Sequence, residues 1–499
     1  MELQFHKSAC ACLDWATREV QNQEQTQEVK LPDSMPDIGK VLATWGQCVL
    51  RSKEWRSNGV SISGGVMTWT LYAPEDGTDP VCIEAWVPFQ MKWDFPETER
   101  EGTIRTACLL RSADARTVSA RRLMVRVNVA ALVEALEPTE REIWQPGEMP
   151  EDVQLLRRTY PLRLPREAGE KTFLLDEDLT VPSSCPVPEK LISYEIQPDI
   201  QDQKVMGERI VFRGSANLHI LYRSEEGRFH SCDLEVPFSQ LAELDHEFGQ
   251  DADVQILPAV TSLELELEED DRLRLKCGLV AQYVVNDRVM MELVEDAYSP
   301  QRRVAVSDQP LYLPVTLEQR REICQGEQNI SGMAGQIVDT AFFADFPRMT
   351  RNGEITLLEI PGSFQVLYYD DEGNLQSGTG RFEERKELQV SPNAQLYAFI
   401  SSNGRPQATV GSNGITARMD VVLNTNTVSN QGMNMVTGLD VGELTEPDPT
   451  RPSLILRRAG DEQLWDLAKQ CGTTVDAIRQ ANQLQTEPAN GQILLIPVL

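Results

Sequence analysis

The dipeptide Leu-Tyr, followed by an acidic turn and a glycine, occurs three times in this chain of 499 residues. The copies are Leu71-Tyr72-Ala73-Pro74-Glu75-Asp76-Gly77, Leu221-Tyr222-Arg223-Ser224-Glu225-Glu226-Gly227 and Leu367-Tyr368-Tyr369-Asp370-Asp371-Glu372-Gly373, starting 150 and then 146 residues apart. A period of that length makes each repeat a domain-sized unit, so the chain must build one architecture three times over. The flanks agree. Val60-Ser61-Ile62-Ser63-Gly64 and Ile210-Val211-Phe212-Arg213-Gly214 lead into the first two copies at the same distance, and Val87-Pro88-Phe89 and Val236-Pro237-Phe238 follow them. The third copy has only Arg381-Phe382 in that place and is the divergent one.

Each copy reads as β-rich. Acidic residues and glycine after Leu-Tyr fit a hairpin turn between alternating strands. A second hairpin is legible in detail, with Leu263 to Glu268 and Arg272 to Cys277 flanking the turn Glu269-Asp270-Asp271. A three-residue turn sets Glu268, Glu266 and Glu264 against Arg272, Arg274 and Lys276 on one face. It sets Leu267, Leu265 and Leu263 against Leu273, Leu275 and Cys277 on the other. A two-residue turn would oppose Leu267 to Arg272, so apolar pattern and charge choose the same register. The charged face reads as a solvated face. Between the copies, Pro138 to Leu164 is richer in proline and polar residues and predicts a short helix around Asp152 to Arg158. Glu446-Pro447-Asp448-Pro449-Thr450-Arg451-Pro452 predicts a stiff, extended tether. The expected fold is therefore mainly β: tandem repeats over 1–140, 158–300 and 308–445, then a small βααβ module over 452–499.

That last module has its own grammar. Leu454-Ile455-Leu456-Arg457-Arg458 predicts a first strand and Ile493-Leu494-Leu495-Ile496 a buried second one. Leu464, Leu467, Ala468 and Cys471 recur at helical spacing, with Asp461 as the expected N-cap and Gly472 as the stop. Thr474 caps a second helix carrying Val475, Ile478, Ala481 and Asn482. Trp465 is assigned to the core.

Leu464-Trp465-x-Leu467-Ala468, Gly472-Thr473-Thr474, Ile478 to Leu484 and Gly491-Gln492-x-Leu494-x-Ile496-Pro497 together resemble a LysM domain, the module that grips N-acetylglucosamine-containing glycans such as peptidoglycan and chitin. The resemblance implies a shallow groove between the first strand–helix loop and the second helix–strand loop. Here that groove would be formed by Asp461, Glu462, Gln463, Leu464, Leu484, Pro488, Ala489 and Asn490. One departure stands out: Asp461-Glu462-Gln463 precedes Leu-Trp where the family has Gly-Asp-Thr or Gly-Glu-Ser, which puts a carboxylate where glycine lets the backbone approach a sugar.

β-rich repeats carrying Leu-Tyr-x-x-x-x-Gly and a later Pro-Phe, with a LysM behind them, resemble the clostridial SPOCS-domain proteins of spore coat and exosporium morphogenesis. The resemblance covers nearly the whole chain. It implies a non-enzymatic scaffold with peptidoglycan or a spore coat morphogenetic protein as partner, and self-assembly as a further property. A second reading is a peptidoglycan-binding cell-wall protein, and a third is a LysM-targeted glycan hydrolase.

Compartment and charge fit the first reading. Met1 to Ser8 is no secretory leader, because no charged start is followed by an apolar run, and no stretch approaches a membrane span. The ten cysteines are scattered, apart from Cys10-x-Cys12, and form neither a disulfide framework nor a CxxC metal site. They read as reduced thiols, hence a cytoplasmic protein, in which a cell-wall module makes sense if the chain assembles in a mother cell at the forespore surface. A net charge of −30 argues against nucleic acid or an anionic membrane as direct partner. Catalytic signals are poor: there is no P-loop, GxSxG or HExxH. Gly332-Met333-Ala334-Gly335 has the wrong spacing for a dinucleotide loop. Of the four histidines, His219 and His230 fall in strands of the second repeat, where they are expected to face each other across a hairpin without a third metal ligand. Asp370-Asp371 sits in the repeated turn, where acidic residues serve conformation. No catalytic residue, metal or cofactor is assigned.

Overall fold

The computed structural model describes residues 5–97, 101–268, 272–332, 335–402, 404–411, 414–445 and 450–498. The mainly β expectation holds. A first group of strands comprises β1 (Phe5–Lys30), β2 (Ile38–Arg56), β3 (Gly59–Pro74), β4 (Val81–Asp94), β5 (Thr103–Ser119) and β6 (Arg122–Pro146). They form two antiparallel sheets, β1-β6-β5 and β2-β3-β4. A second group comprises β7 (Gln154–Thr180), β8 (Pro188–Ser224), β9 (Phe229–Phe248), β10 (Asp253–Leu267) and β11 (Arg272–Tyr298), paired as β10-β11-β7 and β8-β9. β8 bends at Gly207, whose φ of 63° suits a residue without Cβ. The third comprises β12 (Arg302–Ile330), β13 (Gln336–Ala344), β14 (Arg348–Asn352), β15 (Ile355–Tyr369), β16 (Leu375–Gln389), β17 (Ala394–Ser402), β18 (Gln407–Gly411) and β19 (Gly414–Leu444). In each group the long first strand pairs with the long last one: β1 with β6, β7 with β11, β12 with β19. The chain closes with β20 (Leu454–Arg458), α1 (Leu464–Cys471), α2 (Val475–Asn482) and β21 (Ile493–Pro497).

The hairpin register read from alternating charge is present, with Leu267 opposite Leu273, Glu266 opposite Arg274, Glu264 opposite Lys276 and Leu263 opposite Cys277. Its turn, 269–271, lies outside the described residues. Two expectations are corrected. No helix forms around Asp152 to Arg158, because β7 begins at Gln154 and β6 runs on to Pro146. A long antiparallel partner decides the matter: Arg157 and Arg158 meet Glu292 and Glu295 of β11 at 2.7 and 3.0 Å, and pairing overrides a weak local helix preference. The apolar run Ile493 to Ile496 is buried on one face only, with Leu494 and Ile496 inside and Ile493 and Leu495 out. Of the predicted tether, 446–449 lie outside the described residues.

The repeated Leu-Tyr now has a physical cause. Leu71, Leu221 and Leu367 are all fully buried in one cluster, where strands of all three groups meet. Each tyrosine turns back into its own group: Tyr72 and Tyr222 donate their hydroxyls to the carbonyls of Pro36 and Pro186, both at 2.9 Å, pinning the bend between a long strand and the next. The trailing glycines, Gly77, Gly227 and Gly373, have φ of 76°, 79° and 84°, which only glycine adopts without strain.

Equivalent residues also make equivalent contacts between groups. Ser231, opposite Leu221, donates its hydroxyl to the carbonyl of Val338; Ser377, opposite Leu367, donates to Leu42. Val338 and Leu42 are each the extra residue at a register shift in their strands, where a bulge leaves a carbonyl outside the ladder. The position opposite Leu71 carries Cys82 instead. A second shared cluster joins Cys10, Cys12 and Ile143 with Leu162, Leu164 and Leu293 and with Leu311, Leu313 and Met435. Matching positions from three groups meeting at both clusters is the arrangement of a pseudo-threefold body.

Candidate functional site

In the terminal module β20 and β21 pair antiparallel, and the core comprises Leu464, Leu467, Ala468, Cys471, Ile478, Leu494 and Ile496. Gly472 ends α1 in the left-handed region at φ 62°, and Thr474 caps α2 by accepting the Ala477 N–H at 3.1 Å. The start of α1 differs from expectation. Its N-cap is Gln463, with no side-chain cap, and the Glu487 carboxylate reaches from the α2–β21 loop to accept the Leu464 N–H at 2.8 Å. A carboxylate at a helix N-terminus satisfies an orphan donor and the helix dipole together.

Asp461 has a different partner. Asn490 donates to its Oδ1 at 2.7 Å, which clasps the two expected groove loops to each other. Glu462 pairs with Arg457 at 2.9 Å. Gln463 accepts from Arg158 of β7 at 3.4 Å. Leu464 is fully buried, so it supports the loop from below and lines no groove, since the first helical residue faces the core. Leu484 is half-buried against that core, Pro488 is half-buried, and Ala489 is exposed with its N–H on Gln492 at 3.1 Å. Gly460 heads the first loop with nothing within 4 Å of where a side chain would start, so open backbone exists one residue upstream of Asp461. Glu487 and Gly460 were both passed over by motif reading, which looks for the residues nearest Leu-Trp.

Trp465 packs against the module core from its edge and is not enclosed in it. It is half-buried, its Nε1–H donates to Asp296 of β11 at 2.8 Å, and its ring meets the edge of Tyr298 at 4.7 Å. Lys469 binds the same Asp296 at 2.7 Å, and the Tyr298 hydroxyl donates to the carbonyl of Thr473 at 2.9 Å. One helix face of the module is thus occupied by the end of β11.

The repeat body holds a cavity of about 760 Å³, lined by residues of all three strand groups, among them Arg105, Glu195, Asp233 and Arg405. Beside it lies His219. The histidines do not face each other: His219 stands opposite Asp233, and His230 opposite Tyr222. The imidazole is buried, with Nδ1 2.7 Å from Asp233 and Nε2 2.9 Å from Asp339 of β13. Burial disfavours its charged form, but the Asp339 and Asp233 carboxylates outweigh burial and raise its pKa to about 9. Arg405 closes the group, pairing with Glu195 and lying 3.6 Å from Asp233. A second buried cluster sets Arg18 and Arg105 on Glu134 at 2.6 and 3.0 Å, and the two guanidiniums hold that carboxyl low against the opposing effect of burial. The first cluster binds strand groups together, His219 linking β8 to β13, and the second lies within one group, Glu134 of β6 holding Arg18 of β1 and Arg105 of β5. Among the described residues no three His, Cys, Asp or Glu side chains are grouped to hold a metal ion. Asp370 accepts the N–H groups of Glu372 and Asn374, as a turn residue does.

Residues 188–268, which are β8, β9 and β10, match the family model described as SipL, SPOCS domain. No curated protein and no solved structure matches the chain. The second strand group therefore carries a SPOCS domain, consistent with a sporulation-related protein.

Proposed function

We propose that the chain is a non-enzymatic morphogenesis scaffold of the spore coat or exosporium, with the terminal module as a LysM that attaches it to peptidoglycan or to a coat protein. The observation that carries this reading is the SPOCS match over residues 188–268. Two features support it. The buried ionisable groups of the body are paired across strands, and the module is seated on β11 through Trp465 and Lys469. The chain acts in the mother cell and assembles at the forespore surface.

A fluorescent fusion of the full chain, expressed during sporulation in a spore-former, tests the scaffold role. Enrichment at the forespore surface is the expected result; diffuse signal throughout the mother cell sinks it. Attachment is tested separately by sedimenting the full chain with purified peptidoglycan beside Asp461→Gly, which removes the clasp to Asn490. Pelleting of the unaltered chain makes the module a glycan anchor. Pelleting of neither, with forespore enrichment intact, makes it a protein-docking module.

A further inference from the structure

The two-stranded sheet of the terminal module has unequal edges. Val498 donates to Ser453 and Ala459 donates to Gln492, so the odd-numbered residues of β20 face β21 and the N–H and C=O groups of Leu454, Leu456 and Arg458 point away from it. The same alternation turns Leu495 outward on β21. There Asn482 of α2 closes the edge, its Oδ1 accepting the Leu495 N–H at 2.7 Å and its Nδ2 donating to the Leu495 carbonyl at 2.6 Å. Among the described residues nothing equivalent covers β20, which pairs with β21 alone. Nor is its exposed face protected by charge at its centre, the usual defence of an edge strand. Leu456 is 69% exposed, Leu454 49%, Ile493 66% and Leu495 39%.

We propose that the open edge of β20 is a self-pairing strand, which adds antiparallel to β20 of a second copy with Leu456 on the two-fold axis. The register decides for a second copy. The outward residues Leu454, Leu456 and Arg458 are symmetric about Leu456, so every outward N–H meets an outward C=O across the axis, in the pairs Leu456 with Leu456 and Leu454 with Arg458. Side chains opposite each other in such a ladder lie on one face. The exposed leucines then form an unbroken row, Leu495, Leu456, Leu456 and Leu495, across four strands. The two Arg458 side chains are held at opposite ends, so like charges are kept apart. One added strand is a small interface, below the roughly 1,200 Å² of a stable complex, and gains effect where many copies are held close together. The contact goes beyond the scaffold reading and stands whether or not the module grips glycan.

Charge-swapped variants of the full chain test it by sedimentation over a concentration series reaching roughly 0.5 mM, where even weak pairs are populated. The natural chain is expected to rise toward twice its 56.1 kDa. Leu456→Lys alone and Leu456→Glu alone are each expected to stay at single mass, since the residue faces itself. Their equimolar mixture is expected to recover the double mass, which also shows that both variants are folded. A natural chain at single mass throughout overturns the proposal. So does association that survives in both single variants, or a mixture that stays at single mass.

Discussion

Tyr222 and Leu221 are neighbours in sequence with separate structural duties, and substitution tells them apart. Tyr222→Phe removes only the hydroxyl donated to Pro186, so it should lower unfolding free energy by about 1 kcal/mol. Leu221→Ala opens a cavity where all three strand groups meet, and should cost about 2–5 kcal/mol. Denaturant melts of both variants check the order; equal losses would contradict the division of labour. His219 makes a pH prediction. Its folded pKa, about 9, lies above the ordinary value of 6.5, so its contribution to stability is complete below about pH 6.5 and is lost as pH rises through about 9. Melting temperature should therefore fall over that alkaline window in the natural chain and fall less in His219→Gln. A repeat-sequence reading could not find this group. His219 and Asp233 are legible as strand residues of one hairpin, but Asp339 is 120 residues away and only tertiary packing delivers it.

At the scale of elements, legibility followed how much of the determining chemistry is local. The hairpin from Leu263 to Cys277 was readable to the residue, because its register is set by its own leucines and charges. The segment from Asp152 to Arg158 was misread, because its conformation is set by β11, more than 130 residues on. In the terminal module the strand–helix–helix–strand order, Gly472 and Thr474 were readable from capping chemistry, whereas Asp461 was given a cap that Glu487 provides from another loop. Glu487→Ala should therefore cost about 1 kcal/mol of module stability, while Asp461→Ala leaves α1 intact. Amide exchange in the first turn of α1 separates the two. Trp465 shows the same limit: its residue type implies burial, which does not tell that its indole N–H would be held by Asp296 of another sheet.

The terminal module and the body are held together by few groups. Asp296 receives both Trp465 and Lys469, and Tyr298 reaches Thr473. Asp296→Ala should leave the body's melting unchanged and release the module, seen as faster proteolytic cleavage before Pro452; unchanged cleavage would mean the seat is set elsewhere. The body itself is in effect a trimer written as one polypeptide. Three separate chains would have to find each other at cellular concentration, but the covalent links keep each copy at an effective concentration no dilution can lower. That frees the copies from identity. A true homotrimer must change all three faces at once, whereas here one copy can drift, as the copy with Arg381-Phe382 has done, while the others preserve the closure. Duplication followed by such drift leaves a frame whose closure is shared by three copies while the copies themselves are free to differ.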